Sequence, residues 1–208
     1  MLTIKVVPRK HFVLMDGVFF FIYFKGGDTM DYTIGKIETN RLILRPITID
    51  DALDMHEYAS KKDNIGFIPF EPHKDLEDTK RIINELFLSK PDKRMPETWA
   101  IVLKENQKMI GTIDFNTLNK RTQEALVGYI LNQAFWNQGI MTEALKAVIK
   151  FGFNKFNLKK IGAKCHPLNF ASSKVMSKAG MEFLETEEDE KGQINYLVYQ
   201  IENKKWRN

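Results

Sequence analysis

The stretch richest in chemistry runs Val127-Gly128-Tyr129-Ile130-Leu131-Asn132-Gln133-Ala134-Phe135-Trp136-Asn137-Gln138-Gly139-Ile140-Met141-Thr142-Glu143-Ala144-Leu145. It reads as a strand, a short loop containing Gly139, and a helix whose first turn is Ile140 to Glu143. Backbone N–H groups in such a turn have no partner inside the helix, and the helix dipole stands behind them, so they form an anion site. Gly139 lets the backbone approach a phosphate closely. The plain alternative is a strand-to-helix turn that needs a glycine and binds nothing. A nucleotide-binding P-loop fits poorly, because Gln138 to Thr142 lacks the Lys-Ser/Thr pair that reaches phosphate and Mg²⁺. Cys165 and His166 are neighbours in another strand, so their side chains point to opposite faces and form no nucleophile–base pair. Cys165 shares a face with Ile161 and Ala163 and reads as core.

These residues are positioned by an alternation of strands and helices. Arg41 to Pro46 alternates like a strand, and Pro46 stops it. Thr48 or Asp50 can cap a helix that runs to about Ser60. A second amphipathic segment spans about Lys74 to Ser89, with Leu76, Ile82, Ile83, Leu86 and Phe87 as its apolar stripe. After the two-proline loop Lys90 to Pro96 comes a meander: Trp99 to Lys104, Met109 to Asn116, and Glu124 to Asn132. Beyond Asn132 the apolar period changes from two to about 3.6, and Met141, Ala144, Leu145, Val148, Ile149, Gly152 and Phe153 share one helical face. Lys159 to Pro167 returns as a strand, and Asn169 to Ala179 forms a helix stopped by Gly180. Strands near Met181 to Glu187 and Ile194 to Glu202 close the chain.

At 208 residues the chain is long enough for one well-packed domain. The expected organisation is an N-terminal extension at 1–29, then a single α+β domain at 30–208. In the extension, Val18 to Phe24 is an apolar run far shorter than the roughly 20 residues of a membrane span. An extra strand or hairpin, a poorly ordered extension, and a targeting segment are the three readings of it. The formal charge is +4, and 27 acids intersperse the basic residues, so nothing marks a nucleic-acid binder. A single cysteine fits a reducing, cytoplasmic setting, and the four scattered histidines have no metal-ligand spacing. No metal and no membrane partner are expected.

The segment Trp136 to Ala144 resembles the acetyl-CoA signature of the GNAT N-acetyltransferase family, Gln/Arg-x-x-Gly-x-Gly/Ala, whose relatives read close to W-G-K-G-Y-A-T-E-A. Two departures stand out: Asn137 for the first glycine and Met141 for the small residue. Asn169 to Met181 (NFASSKVMSKAGM) looks like the family's later N-x-x-S…K-x-G-F element, and Glu38 to Pro46 (ETNRLILRP) resembles the start of its RimJ/RimL-type branch. The likeness covers about residues 38 to 185. It implies the GNAT fold, a mixed, mostly antiparallel sheet flanked by helices and splayed between the strands carrying Gly128 and Cys165. It further implies that acetyl-CoA is the cosubstrate, held by Gln138, Gly139, Ile140, Met141 and Thr142 at its phosphates. Asn169 and Ser172 would lie along the pantetheine arm, and the backbones of Ile130 and Leu131 would pair with it like a missing strand. Asn169 as a plain helix cap is the other reading, and both can hold together.

The implied reaction is direct transfer of acetyl to a primary amine, which must lose a proton before attack. Many relatives carry a Glu two residues before the Gly-Tyr of this strand, where this chain has Leu126. Glu124 shares that face about 7 Å further back, and Asp114 is a second carboxylate; a solvated strand end is the other reading of Glu124. Other branches place a Tyr four residues after the serine, where this chain has Met176, which leaves Ser172 or Ser173 as a proton relay. The acceptor is a protein N-terminal α-amine, ribosomal-protein-like, or a small amine. The competing reading is a catalytically inactive CoA-binding sensor or interaction module. A monomer and a homodimer are both open.

Overall fold

A computed structural model describes residues 13–15, 18–20, 34–68, 70–89, 98–190 and 192–205. The chain divides into two units, Met1–Met30 and Asp31–Asn208. In the first, Val13–Met15 (β1) and Val18–Phe20 (β2) pair antiparallel. The remainder of the extension and the loop Lys90 to Pro96 lie outside the described residues.

In the second unit Ile37–Glu38 (β3) and Leu42–Pro46 (β4) precede the helices Ala52–Ala59 (α1), Lys62–Ile65 (α2) and Leu76–Ile82 (α3). The period of α3 widens to a π-turn over Ile83–Leu88, so the expected single segment ends in a different register. Then come Trp99–Leu103 (β5), Met109–Asn119 (β6) and Glu124–Leu131 (β7). Ile140–Lys155 (α4), Lys160–Cys165 (β8), Phe170–Lys178 (α5), Glu182–Glu188 (β9) and Ile194–Glu202 (β10) complete it. The four-residue α2 and two-residue β3 are too short to show a period, and the sequence reading missed both.

The eight strands form one sheet in the order β3-β4-β5-β6-β7-β8-β10-β9. Every neighbouring pair is antiparallel except β7 and β8, which are joined by α4. Parallel strands need such a crossover, because a tight turn cannot return the chain to the same direction. The α4 stripe predicted from the sequence is the buried one, and Ile140 extends it. It packs with Ile113, Phe115, Val127 and Ile161 on one face of the sheet. The opposite face carries Ala100, Val102 and Met109 against Met55 and Tyr58 of α1 and Ile83 after α3.

Gly152 is where α4 comes closest to the sheet. A Cβ there would stand 2.7 Å from Phe115 Cζ, 3.0 Å from Ile161 Cδ1 and 3.1 Å from Leu158 Cδ1. The Phe115 ring is wedged edge-on against Trp99 and Phe156, so it has little room to yield. Gly152→Val is expected to destabilise the fold by about 1–3 kcal/mol through overpacking. A lower urea midpoint at unchanged slope is the readout, and an unchanged midpoint would refute the close packing.

Candidate active site

The sheet opens at its centre. β7 and β8 pair from Glu124–Lys160 to Leu126–Gly162, and the register ends there although both strands continue. Alternation along β7 decides which backbone groups the opening leaves without a β8 partner. Gln123 accepts from Lys159 on the β8 side, whereas the N–H of Asn132 donates to Ile110 of β6. The groups of Val127, Tyr129 and Leu131 therefore face the opening, and those of Ile130 face β6. Adjacent residues cannot both face it: of the expected pair Ile130 and Leu131, only Leu131 does, and Tyr129 is its neighbour on that side.

Leu131 is itself only half available. Its carbonyl accepts from Asn64 Nδ2 at 3.1 Å and from Trp136 Nε1 at 2.9 Å. Asn64 Oδ1 in turn accepts from the N–H of Gln133. This buried amide fixes α2 to the end of β7, and together with Trp136 it satisfies a carbonyl that β8 does not pair. The sequence reading missed it, because a lone Asn in Lys61 to Lys74 carries no signal of a partner 67 residues away.

At the end of β7 the chain turns into α4. Asn137 and Gly139 both adopt left-handed conformations, with φ of 59° and 72°. The first α4 bond runs from the N–H of Glu143 to the carbonyl of Gly139. The N–H groups of Ile140, Met141 and Thr142 thus lie ahead of the helical ladder, and Gly139 has no side chain to cap them. Met141, the residue that departs from the resembled pattern, is 5% exposed and packs in the core. Its side chain therefore leaves the cradle unobstructed. Gln138 and Gly139 are exposed at the rim.

Across the opening, α5 begins at Asn169, whose side chain accepts from the N–H of Ser172 at 3.0 Å. The capping reading of Asn169 is realised in full. Ser172 Oγ lies 2.8 Å from the Tyr129 hydroxyl. Burial pushes the Tyr129 phenol well up, and its bond to Ser172 offsets this in part. Burial likewise raises the Cys165 thiol, with a smaller opposing effect from its hydrogen bond to Ser172. Tyr129, Cys165 and Ser172 therefore form one cluster on the α4–α5 face.

The two carboxylate candidates sit apart from that cluster. Glu124 faces Lys160 at 3.7 Å, at the end where β7 and β8 are still paired. It is five residues from Tyr129, roughly 17 Å along an extended strand, so Glu124 and Ser172 are not brought together. Asp114 pairs across the ladder with Gly128, beside the opening, and accepts from Thr98 Oγ1 at 2.8 Å. A Cβ on Gly128 would stand 3.7 Å from Asp114 Oδ1 and 2.6 Å from Asn116 Nδ2. The bare Gly128 thus makes room for a polar pair on the α1–α3 face, opposite the Tyr129–Ser172 cluster.

A further element the sequence reading left without a role braces the cradle. Glu143, in the first turn of α4, accepts from Thr39 Oγ1 at 2.6 Å, the Arg41 N–H at 3.0 Å and Arg41 Nε at 2.7 Å. Burial works to raise the Glu143 carboxyl, but these donors together hold it below the usual carboxylate range. Arg41 Nη1 also donates to the carbonyl of Gln138 at 2.9 Å.

A mixed sheet opened between two parallel strands, with an uncapped helix N-terminus at the end of the first, defines an acyl-CoA-dependent N-acyltransferase fold. The acetyltransferase (GNAT) domain profile matches residues 41–182. The chain belongs to the GNAT acetyltransferase family, with RimJ/RimL-type relatives among its neighbours. The uncharacterised N-acetyltransferase p20 of Bacillus licheniformis is 31% identical over 142 residues, covering 67% of this chain and 78% of that protein. A GNAT-family acetyltransferase from Bacillus anthracis superposes with a TM-score of 0.70 at 26% identity, over 82% of this chain and 99% of that one. The ribosomal L7/L12 alpha-N-protein acetyltransferase RimL, in complex with coenzyme A, shares the fold with a TM-score of 0.69 at 19% identity, over 81% and 98%. Among the described residues no group of side chains could hold a metal ion, and no helix is long and apolar enough to cross a membrane.

Proposed function

We propose that this acetyltransferase holds the pyrophosphate of acetyl-CoA on the N–H groups of Ile140, Met141 and Thr142 and transfers acetyl directly to a peptide N-terminal α-amine. The observation that carries the cofactor assignment is the unpaired stretch of β7 leading into that helix terminus. A pantetheine arm lying in the opening would add to Tyr129 and Leu131 as an edge strand, with Leu131 contributing its N–H alone. Gln138, Gly139 and Thr142 border the phosphates, and Asn169 and Ser172 flank the arm. The amine nitrogen forms the new C–N bond as the C–S bond breaks. The proton lost by the amine goes to Asp114, directly or through water, and the thiolate takes one that Ser172 relays from water. No step falls to Glu124.

The missing strand glutamate supports an α-amine acceptor. An α-amine has a pKa of about 7.7–8.0, against about 10.4 for a lysine. An appreciable fraction is already neutral at pH 7, so a weakly placed base suffices. Exposed Phe67, whose ring lies 5.4 Å from that of His166, and exposed Leu168 give the mouth of the opening an apolar rim. Such a rim suits the first residues of a peptide better than a polycation. The lone cysteine is consistent with a cytoplasmic site of action.

Thermal unfolding with acetyl-CoA, CoA and ATP tests this. Acetyl-CoA at 100 times Kd should add about 2.7 kcal/mol, and Gly139→Asp, which places a carboxylate in the cradle, should lose the protection. Equal protection by ATP would refute the cofactor. Thiol release with a short peptide but not with its N-acetylated form would then establish the acceptor. Turnover only with spermidine would make it a small amine. Protection without turnover on any amine would leave the inactive CoA-binding module.

A further inference from the structure

The cradle lacks a cation of its own. Residues 132–145 contain no Lys or Arg, and they contain one carboxylate, Glu143, in the first turn of α4. A carboxylate there favours the helix, but it opposes a phosphate bound at the same terminus. The nearest positive charge arrives from the turn between β3 and β4. Arg41 Nε and Nη1 are held by Glu143 and by the carbonyl of Gln138. Its third nitrogen, Nη2, stands 3.7 Å from where a Cβ on Gly139 would be, so it is aimed at the glycine of the cradle. The Arg41 side chain is 47% exposed, leaving that edge open to a ligand.

Resting on the acetyl-CoA reading above, we propose that Arg41 is the phosphate-binding cation of this site, contacting the pyrophosphate through Nη2. Glu143 is its positioning residue. Pinned by Thr39 and the Arg41 N–H, it fixes Nε and turns the far side of the guanidinium toward the loop. The pair is neutral overall, but its positive end is nearer the phosphates, so the ligand meets attraction rather than the bare Glu143 charge. A guanidinium suits this double duty because its planar fork can bond a carboxylate on one side and a phosphate on another.

Isothermal titration of the full chain with CoA and with dephospho-CoA separates this role from a mere brace. Arg41→Met should weaken both ligands by about tenfold or more, and Arg41→Lys should weaken them less. Glu143→Gln keeps an acceptor for Arg41 Nε while removing the opposing charge, so it should weaken both ligands clearly less than Arg41→Met does. Raising the salt should weaken wild-type binding more steeply than binding to Arg41→Met. Equal weakening by Arg41→Met and Glu143→Gln would reduce Arg41 to a structural brace and overturn the proposal. Weakening for CoA but not dephospho-CoA would move the contact to the 3′-phosphate and overturn the pyrophosphate assignment. A wild-type chain that binds neither ligand would sink the acetyl-CoA reading itself, whatever the variants do.

Discussion

Gly111→Ala is expected to cost about 3 kcal/mol or more and to abolish acetyl-CoA protection with it. Gly111 lies on β6 opposite Leu131, the last residue of β7. A Cβ there would stand 2.3 Å from the carbonyl oxygen of Ile130 and 3.1 Å from Leu131 Cα. Both are backbone atoms, so no side chain can swing aside, and the end of β7 must move. That end is also held by Asn132 on Ile110 and by the Asn64 amide on Leu131 and Gln133. Moving it strains the ladder bonds to β6 and the Asn64 clamp together, on top of the overpacking itself. A chemical denaturation curve and a CoA titration on the same preparation give both halves of the result. Loss of stability with ligand affinity retained would mean that the opening tolerates a shifted β7. An unchanged urea midpoint would contradict the close approach of the two strands.

That dependence on distant backbone explains what the sequence could and could not reveal. The α4 helix was legible because its apolar stripe repeats over sixteen residues, and Gly139 was legible because a helix start after a strand needs a special turn. The cradle followed from those two local facts. The opening between β7 and β8 did not follow from any period; it came from the family likeness. Even so, the likeness named Ile130, which strand alternation turns toward β6. Asn64 and Arg41 act across 67 and 97 residues; no local period reveals either contact, although Arg41 lies in the Glu38 to Pro46 stretch that carried part of the resemblance. Met141 illustrates the converse. It departs from the resembled pattern, but it belongs to the same stripe that buries Ala144 and Leu145, so the pattern of the helix already contained the answer.

Ser172→Ala should lower kcat about 10²-fold while changing the CoA affinity less than twofold. The thiolate that leaves when acetyl moves needs a proton, and a positioned donor is typically worth that much or more. Ser172 Oγ lies at the start of α5, hydrogen-bonded to the Tyr129 hydroxyl on the opened half of β7. Burial keeps the Tyr129 phenol protonated far above neutral pH. The phenol therefore stays un-ionised and orients the Ser172 hydroxyl, which passes a proton from water to the leaving thiolate. Tyr129→Phe should therefore show a smaller loss in the same direction, because the serine keeps its proton but loses the bond that orients it. A donor role also predicts that the Ser172→Ala deficit shrinks with an acyl-CoA analogue whose leaving thiol has a lower pKa, which needs less help from an acid. Stopped-flow thiol release with the peptide acceptor measures all three. If Ser172→Ala instead raised KM for CoA at unchanged kcat, the serine would be part of the arm's binding site, and protonation would fall to solvent or to the neighbouring Cys165 thiol.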